Sequence, residues 1–241
     1  MFAAWRVALI IPALNEEAAI GPLLDAVDRR VVDRVIVADN GSEDQTARRA
    51  AAGGAEVIAE PRRGYGRACL AAIRRCRDAD VLVFMDGDGS DDPAEIPRLL
   101  SELQTRPADL VLGSRVTGAR EPGALTAMQK AGNALTCLLI RLFWGVRYTD
   151  LGPFRAIRRE ALERLDMREP AYGWTVEMQV KAAQRGLRVS ELPVTRRVRQ
   201  GGRSKVSGNL SASLRAGRRI LGFVLAAKAR ELRNRGPLRS P

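Results

Sequence analysis

The chain has 241 residues, with 40 Lys and Arg against 28 Asp and Glu, three Cys and no His. A content of 46% apolar and 28% charged residues is that of a folded chain with a full core, not of a disordered one. Without His there is no Ser-His-Asp triad, no His general base and no His-ligated zinc.

Over the first 115 residues, short apolar runs alternate with helix-period segments. Val7–Ile11, Val35–Ala38, Glu56–Ala59, Val81–Met85 and Leu110–Leu112 are bounded by charge, Gly or Pro, the pattern of parallel strands buried on both faces. Between them, Glu16–Arg30, Asp44–Ala52, Gly66–Arg77 and Pro93–Thr105 predict helices, the last with Asp92 as its cap and Pro93 at its first position. A longer helix is expected over 124–144, with Leu125, Met128, Leu135, Leu139 and Leu142 on one side. A strand over Phe154–Ile157, a helix over Val176–Arg185 and an extended stretch over Arg188–Val198 follow. Gln200–Ser204 reads as a loop and Asn209–Arg235 as a basic amphipathic helix. The expected fold is α/β, a doubly wound, mostly parallel sheet with helices on both faces over residues 1–208, followed by a helical tail over 209–241.

Charge is unevenly placed. Residues 1–195 hold 27 basic and 27 acidic side chains, whereas 196–241 hold 13 basic and one acidic. Cys69, Cys76 and Cys137 form no CxxC motif, which argues against a disulfide framework or zinc ribbon and suits a reducing compartment. The sequence enters its first strand with no cleavable apolar leader. Its longest apolar runs, Leu135–Leu142 and Ile220–Ala227, fall well short of the ~20 residues that span a bilayer.

In a doubly wound sheet, ligands bind beyond the carboxyl ends of the strands. Three polar clusters follow such ends: Pro12-Ala-Leu-Asn-Glu-Glu17, Asp39-Asn-Gly-Ser-Glu-Asp44 and Asp86-Gly-Asp-Gly-Ser-Asp-Asp92. The last gathers four carboxylates within seven residues, and an oxygen-only donor set of this kind suits Mg²⁺ or Mn²⁺. Purely structural alternatives stand beside these readings. Asp92 caps a helix, Asp39 opens an Asn-Gly turn, and Gly64-Tyr65-Gly66 is a weak match to a phosphate-cradling loop.

Pro12–Glu17, Val37–Ser42, Met85–Asp88, Gly113-Ser-Arg115, Thr149-Asp150 with Phe154-Arg155, and Gly202–Lys205 occur in an order that resembles family 2 glycosyltransferases of the GT-A fold. The branch they resemble is that of the dolichol- and polyprenyl-phosphate sugar synthases. The resemblance implies that Pro12, Ala13, Asn15 and Glu17 line a nucleoside pocket and that Asp39 contacts the base. Gly64 and Gly87 lie with them on the donor side. Asp86 and Asp88 correspond to a DxD pair that holds Mg²⁺ or Mn²⁺ against a diphosphate, with Ser90 where a Gln metal contact is common. Arg115 would contact phosphate, and Asp150 and Glu177 would lie in the acceptor half. Arg199, Arg203, Ser204 and Lys205 would form a phosphate-clasping loop. Asn40 replaces a frequent Asp.

The implied reaction passes a hexose from a UDP- or GDP-linked donor to a polyprenyl phosphate, or to another glycan or small-molecule acceptor, with inversion. A hydroxyl acceptor needs a base, for which Asp150 and Glu177 are candidates; a phosphate acceptor needs none. Asp150 before a Gly-Pro turn and Glu177 on a helix also have structural readings. The amphipathic helices point to peripheral attachment at an anionic membrane surface, the inner face of the cytoplasmic membrane, and a homo-oligomer stays open. A sugar-1-phosphate nucleotidyltransferase would carry a basic, Gly-rich loop after the first strand, and this chain has none there. A nucleic-acid-binding role for the tail is disfavoured by its single aromatic, Phe223.

Overall fold

The central strands read as unbroken apolar runs because neither of their faces meets water. In a computed structural model, which describes residues 5–201 and 210–234 with side chains in the latter segment from 217 to 233, all of β1 (Val7–Ala13) and β4 (Val81–Phe84) is buried. The other strands are β2 (Arg34–Asp39), β3 (Glu56–Ala59), β5 (Leu110–Ser114), β6 (Arg155–Arg158) and β7 (Val189–Pro193). The helices are α1 (Glu17–Asp25), α2 (Thr46–Ala52), α3 (Tyr65–Arg75), α4 (Ile96–Thr105), α5 (Ala127–Trp144), α6 (Arg159–Leu165), α7 (Trp174–Gln184) and α8 (Leu210–Asn234).

The seven strands form one sheet in the order β3-β2-β1-β4-β6-β5-β7. β6 runs antiparallel to both its neighbours, and the other pairings are parallel. Successive residues of each strand feed opposite cores. Leu9, Ile11, Val35, Val37, Val81 and Val83 meet the apolar faces of α1, α2 and α4. Ala8, Ile10, Ile36, Leu82 and Phe84 meet α3, α5, α6, α7 and α8. This is the expected α/β sheet with helices on both faces.

Several boundaries have local causes. α1 stops at Asp25 instead of running to Arg30, because Asp28 Oδ1 accepts the Arg30 N–H (3.0 Å) and side chain (2.9 Å), closing a turn. Asp92 does cap, accepting the Ala94 N–H at 3.1 Å, but the first turn, Pro93–Glu95, is a 3₁₀ helix. α5 starts in a Thr126–Gln129 capping box and ends at Gly145, whose φ of 74° suits a residue without Cβ. α6 was not expected from the sequence, and of Arg188–Val198 only Val189–Pro193 is strand.

The chain builds β1, β2 and β3 outward in one direction and then places β4 on the other side of β1, so the sheet has its switch point between β1 and β4. α8 packs on α5 and α7. Val224 is fully buried, Lys228 Nζ donates to Phe143 O (3.0 Å), and Trp144 Nε1 donates to Glu231 Oε2 (2.6 Å). The three cysteines are buried and unpaired. Among the described residues, no helix is long and apolar enough to cross a membrane.

Candidate active site

The loops that follow β1 and β2 are stitched together. Asn15 adopts φ 52°, a conformation that Asn tolerates better than most residues. In it the Asn15 N–H donates to Ser42 Oγ (3.0 Å) and its Oδ1 accepts the Glu43 N–H (2.9 Å). Glu17 Oε2 accepts from the Gln45 N–H (3.0 Å), and the Glu16 N–H donates to Thr46 Oγ1 (2.7 Å). Pro12 and Ala13 pair with Ala38 and Asp39 at the strand ends, and the buried Asp39 carboxylate takes the Ser42 N–H at 3.3 Å. Gly87 lies on this floor; a Cβ there would stand 3.3 Å from Ile11 and 3.4 Å from Ala13. Pro12, Ala13, Asn15, Glu17, Asp39 and Gly87, expected on the donor side, are thus contiguous.

Gly64 and Gly66 have a packing reason to be glycine. The Gly64 N–H is taken by Asn40 Oδ1 (2.7 Å), and Asn40 Nδ2 donates to Glu60 O and Arg62 O, both at 2.9 Å. A Cβ on Gly64 would meet Pro170 O at 2.2 Å, and one on Gly66 would meet Glu169 O at 1.9 Å. The glycines allow the 169–170 backbone to pass close by, and Asn40 fixes the loop beneath it. Glu177 holds the same segment. Its carboxylate accepts the N–H groups of Arg168 (3.0 Å) and Glu169 (2.8 Å) and pairs with Lys181 at 2.8 Å.

After β4 the chain turns through Asp86, Asp88 and Asp91. Burial, then the charges of Asp88 and Asp91, push the Asp86 carboxyl up to about 7. Ser90 donates both its N–H (3.1 Å) and its hydroxyl to Asp88 Oδ1, which orients that carboxylate. Arg196 answers the cluster, with NH1 2.7 Å from Asp91 Oδ1 and NH2 3.9 Å from Asp86 Oδ2. Burial opposes its charge, but Asp91, Asp86 and Asp88 outweigh that and raise its proton affinity.

Arg196 begins a strap that continues through Arg199. The Arg197 N–H donates to Ser90 O and the Gln200 N–H to Asp88 O, both at 2.9 Å. Arg199 forks onto Glu16 at 2.7 and 3.0 Å and lies 3.3 Å from Asp88 Oδ2. Arg203, Ser204 and Lys205 lie outside the described residues. The donor set suits a hard cation through Asp86 and Asp88, whose clustered charge a divalent ion would relieve. Among the described residues, no group of three or more acidic or thiol side chains is gathered to hold one, so substrate phosphates would complete the shell.

Arg115 and Asp150 form the second polar centre. Asp150 accepts from Arg115 N (2.8 Å), Nε (2.7 Å) and NH2 (2.8 Å) and from Leu151 N (2.7 Å). Burial would raise its pKa, but Arg115's hydrogen bonds and charge dominate and hold it below the ordinary Asp range. Gln179 Nε2 fixes the Asp150 carbonyl at 2.9 Å, and Asn133 ties α5 to Thr149 O and Leu151 N. Arg155 is fully buried behind this loop and donates to Gly152 O and Thr175 O.

The profile of "Glycosyl transferase family 2" matches residues 8–166. An undecaprenyl-phosphate mannosyltransferase of Micrococcus luteus is 36% identical over 85% of this chain and 89% of its own. The chain is a family 2 glycosyltransferase. An uncharacterised glycosyltransferase of Mycobacterium tuberculosis is 39% identical over 86% of this chain and 93% of its own. Among solved structures, glucosyl-3-phosphoglycerate synthase of M. tuberculosis, in complex with Mn²⁺, UDP and glucosyl-3-phosphoglycerate, superposes with a TM-score of 0.76 at 27% identity. That match covers 94% of this chain and 81% of the other. The polyprenyl-phosphate branch suggested by the motifs is supported by such relatives, and nucleotidyl transfer gives way to glycosyl transfer.

Three residues of the candidate site, Glu16, Asp91 and Arg196, fall within the clusters and the basic segment that the sequence marks, but the sequence gives none of them a partner. A carboxylate as deep as Asp91, wholly enclosed next to two others, needs a cation, and Arg196 supplies it.

Proposed function

We propose that this glycosyltransferase transfers a hexose from a UDP- or GDP-linked donor, held through Mg²⁺ or Mn²⁺ at Asp86 and Asp88, to a polyprenyl phosphate, with inversion at the anomeric carbon. The observation that carries the acceptor is that both candidate bases are engaged. Asp150 accepts four hydrogen bonds with its pKa held low, and Glu177 is spent on two backbone N–H groups and Lys181. Neither is placed to take a proton from a hydroxyl, whereas a phosphate monoester arrives already ionised.

In this reading an acceptor phosphate oxygen attacks the anomeric carbon as the bond to the nucleoside diphosphate breaks. A cation held by Asp86 and Asp88 would supply charge stabilisation to the departing diphosphate. Asp86 and Asp88 orient that centre, Arg199 meets the phosphates, and Arg115, fixed by Asp150, faces the anionic reactants. Mn²⁺ with UDP-glucose or GDP-mannose should yield a sugar-linked lipid from undecaprenyl phosphate. EDTA should stop the reaction, and added Mn²⁺ should restore it. Product from phosphoglyceric acid but not from undecaprenyl phosphate, read by mass spectrometry, would refute the acceptor assignment.

A lipid acceptor requires access to a membrane. Met128, Leu135, Leu138 and Leu142 are exposed along one stripe of α5, at 44–68% of full exposure, and Leu225 and Leu232 are exposed on α8 among Arg218, Arg219, Arg230 and Arg233. Apolar side chains beside cations suit the headgroup boundary of an anionic leaflet. Replacing Leu138 and Leu142 together with Glu is expected to weaken binding to phosphatidylglycerol vesicles about tenfold or more while leaving the melting temperature unchanged. Vesicle flotation and a thermal melt check both.

A further inference from the structure

Arg199 occupies the place that a cation at Asp88 would need. Asp88 Oδ1 is taken by the Ser90 N–H, and the guanidinium of Arg199 stands 3.3 Å from Oδ2. The same NH2, together with NH1, forks onto Glu16 Oε1 and Oε2. The group is sheltered: side-chain exposure is 21% for Arg199, 7% for Glu16 and 11% for Asp88. The strap that carries it is fixed to the acidic loop by Gln200 N–H to Asp88 O and Arg197 N–H to Ser90 O, and a Cβ on Gly201 would meet Ala18 of α1 at 2.7 Å. The guanidinium is therefore held where it is by contacts on several sides.

We propose that Arg199, positioned by Glu16, is a built-in counter-ion that excludes free divalent metal from the Asp86–Asp88 pair and yields only to metal that arrives with a nucleoside diphosphate. This rests on the reading of Asp86 and Asp88 as the metal-holding pair. Free metal at Asp88 Oδ2 would face a guanidinium at close range, and like charges in a sheltered site repel strongly. A diphosphate changes that balance. Its oxygens offer Arg199 the same forked acceptor geometry that Glu16 and Asp88 offer, so the guanidinium exchanges one oxyanion for another. A nucleotide-diphospho-sugar with two ionised phosphates plus one divalent cation is neutral, so the pair enters without changing the charge of the site. The scarcity of gathered ligand side chains fits the same picture: among the described residues, none form a group of three or more that would keep a metal unaided. Arg199 thus sets binding order, with metal and donor entering as one ligand.

Isothermal titration of the full chain with Mn²⁺, alone and with saturating UDP or GDP, tests this. The wild type is expected to bind Mn²⁺ weakly alone and tightly with the nucleotide. Arg199→Gln should bind Mn²⁺ alone about tenfold more tightly and Mn²⁺ with nucleotide more weakly, while Arg199→Lys, which keeps the charge, should restore exclusion of free metal. Thermal melts of both variants confirm folding. Equal affinity of wild type and Arg199→Gln for Mn²⁺ alone would overturn the inference, while Mn²⁺ binding with nucleotide in both would leave the metal site standing. No Mn²⁺ binding by either protein with nucleotide present would overturn the metal reading itself, and this inference with it.

Discussion

Asp88→Asn is expected to lower sugar transfer by roughly 10²- to 10³-fold or more while leaving the protein folded. In the proposed reaction this carboxylate holds the cation against the diphosphate, and charge on the departing diphosphate peaks in the transition state, so loss of a cation ligand should fall mainly on turnover. Folding should survive because the amide oxygen can still accept the Ser90 N–H, now at 3.1 Å from Oδ1. The change also removes one of the negative charges that push Asp86 up to about 7. Steady-state turnover and a circular-dichroism melt on the same sample separate the two effects. Near-normal turnover, or a collapsed melt, would sink the assignment of Asp88 to the metal.

Asp150→Ala should act the other way, on stability first. Arg115 and Asp150 are buried partners, with side-chain exposures of 14% and 2%. Removing one member of a buried, hydrogen-bonded pair costs about 3–5 kcal/mol, because the remaining charge keeps its desolvation cost and loses its compensation. Urea denaturation of Asp150→Ala should show that loss. The pH dependence has a definite sign. The folded pKa of Asp150 lies below its unfolded value near 3.8, so the pair's contribution is fully present above about pH 4 and disappears as pH falls through the folded value. A catalytic base would behave differently. Its loss would leave the urea midpoint unmoved and abolish an acidic limb in the rate profile.

What was legible in the sequence follows from how local each cause is. β1 and β4 were visible because burial on both faces leaves an uninterrupted apolar run, and the Asp92 cap was visible because a cap needs only its next few residues. Asp86 and Asp88 announced themselves through Gly87 and a preceding buried strand. The end of α1 depended on one Asp28 side chain turning back on Arg30, a choice that helical periodicity does not register. The packing reason for Gly64 and Gly66 to be glycine, the carbonyls of Glu169 and Pro170, comes from a distant part of the chain and leaves no local pattern. The pairs that organise the site are more distant still. Glu16 and Arg199 are 183 positions apart, and Asp91 and Arg196 are 105 apart. Neither pair has a period or spacing by which one sequence could reveal it.

The reversed strand β6 has a consequence for chain length. Because Arg155 pairs with Phe84 and Arg158 with Val81, β6 begins at the site end of the sheet and leaves at the far end. Four residues of strand descend about 13 Å, and the seven-residue α6 climbs back about 10 Å. One strand and one short helix therefore bring the chain to the same rim twice, first as the Asp150 loop and then as the Glu169–Pro170 segment that presses on Gly64 and Gly66. The two lengths are matched like the legs of a ladder. An extra turn in α6 would lift the second segment by about 5 Å and part it from the glycines that were kept bare to receive it.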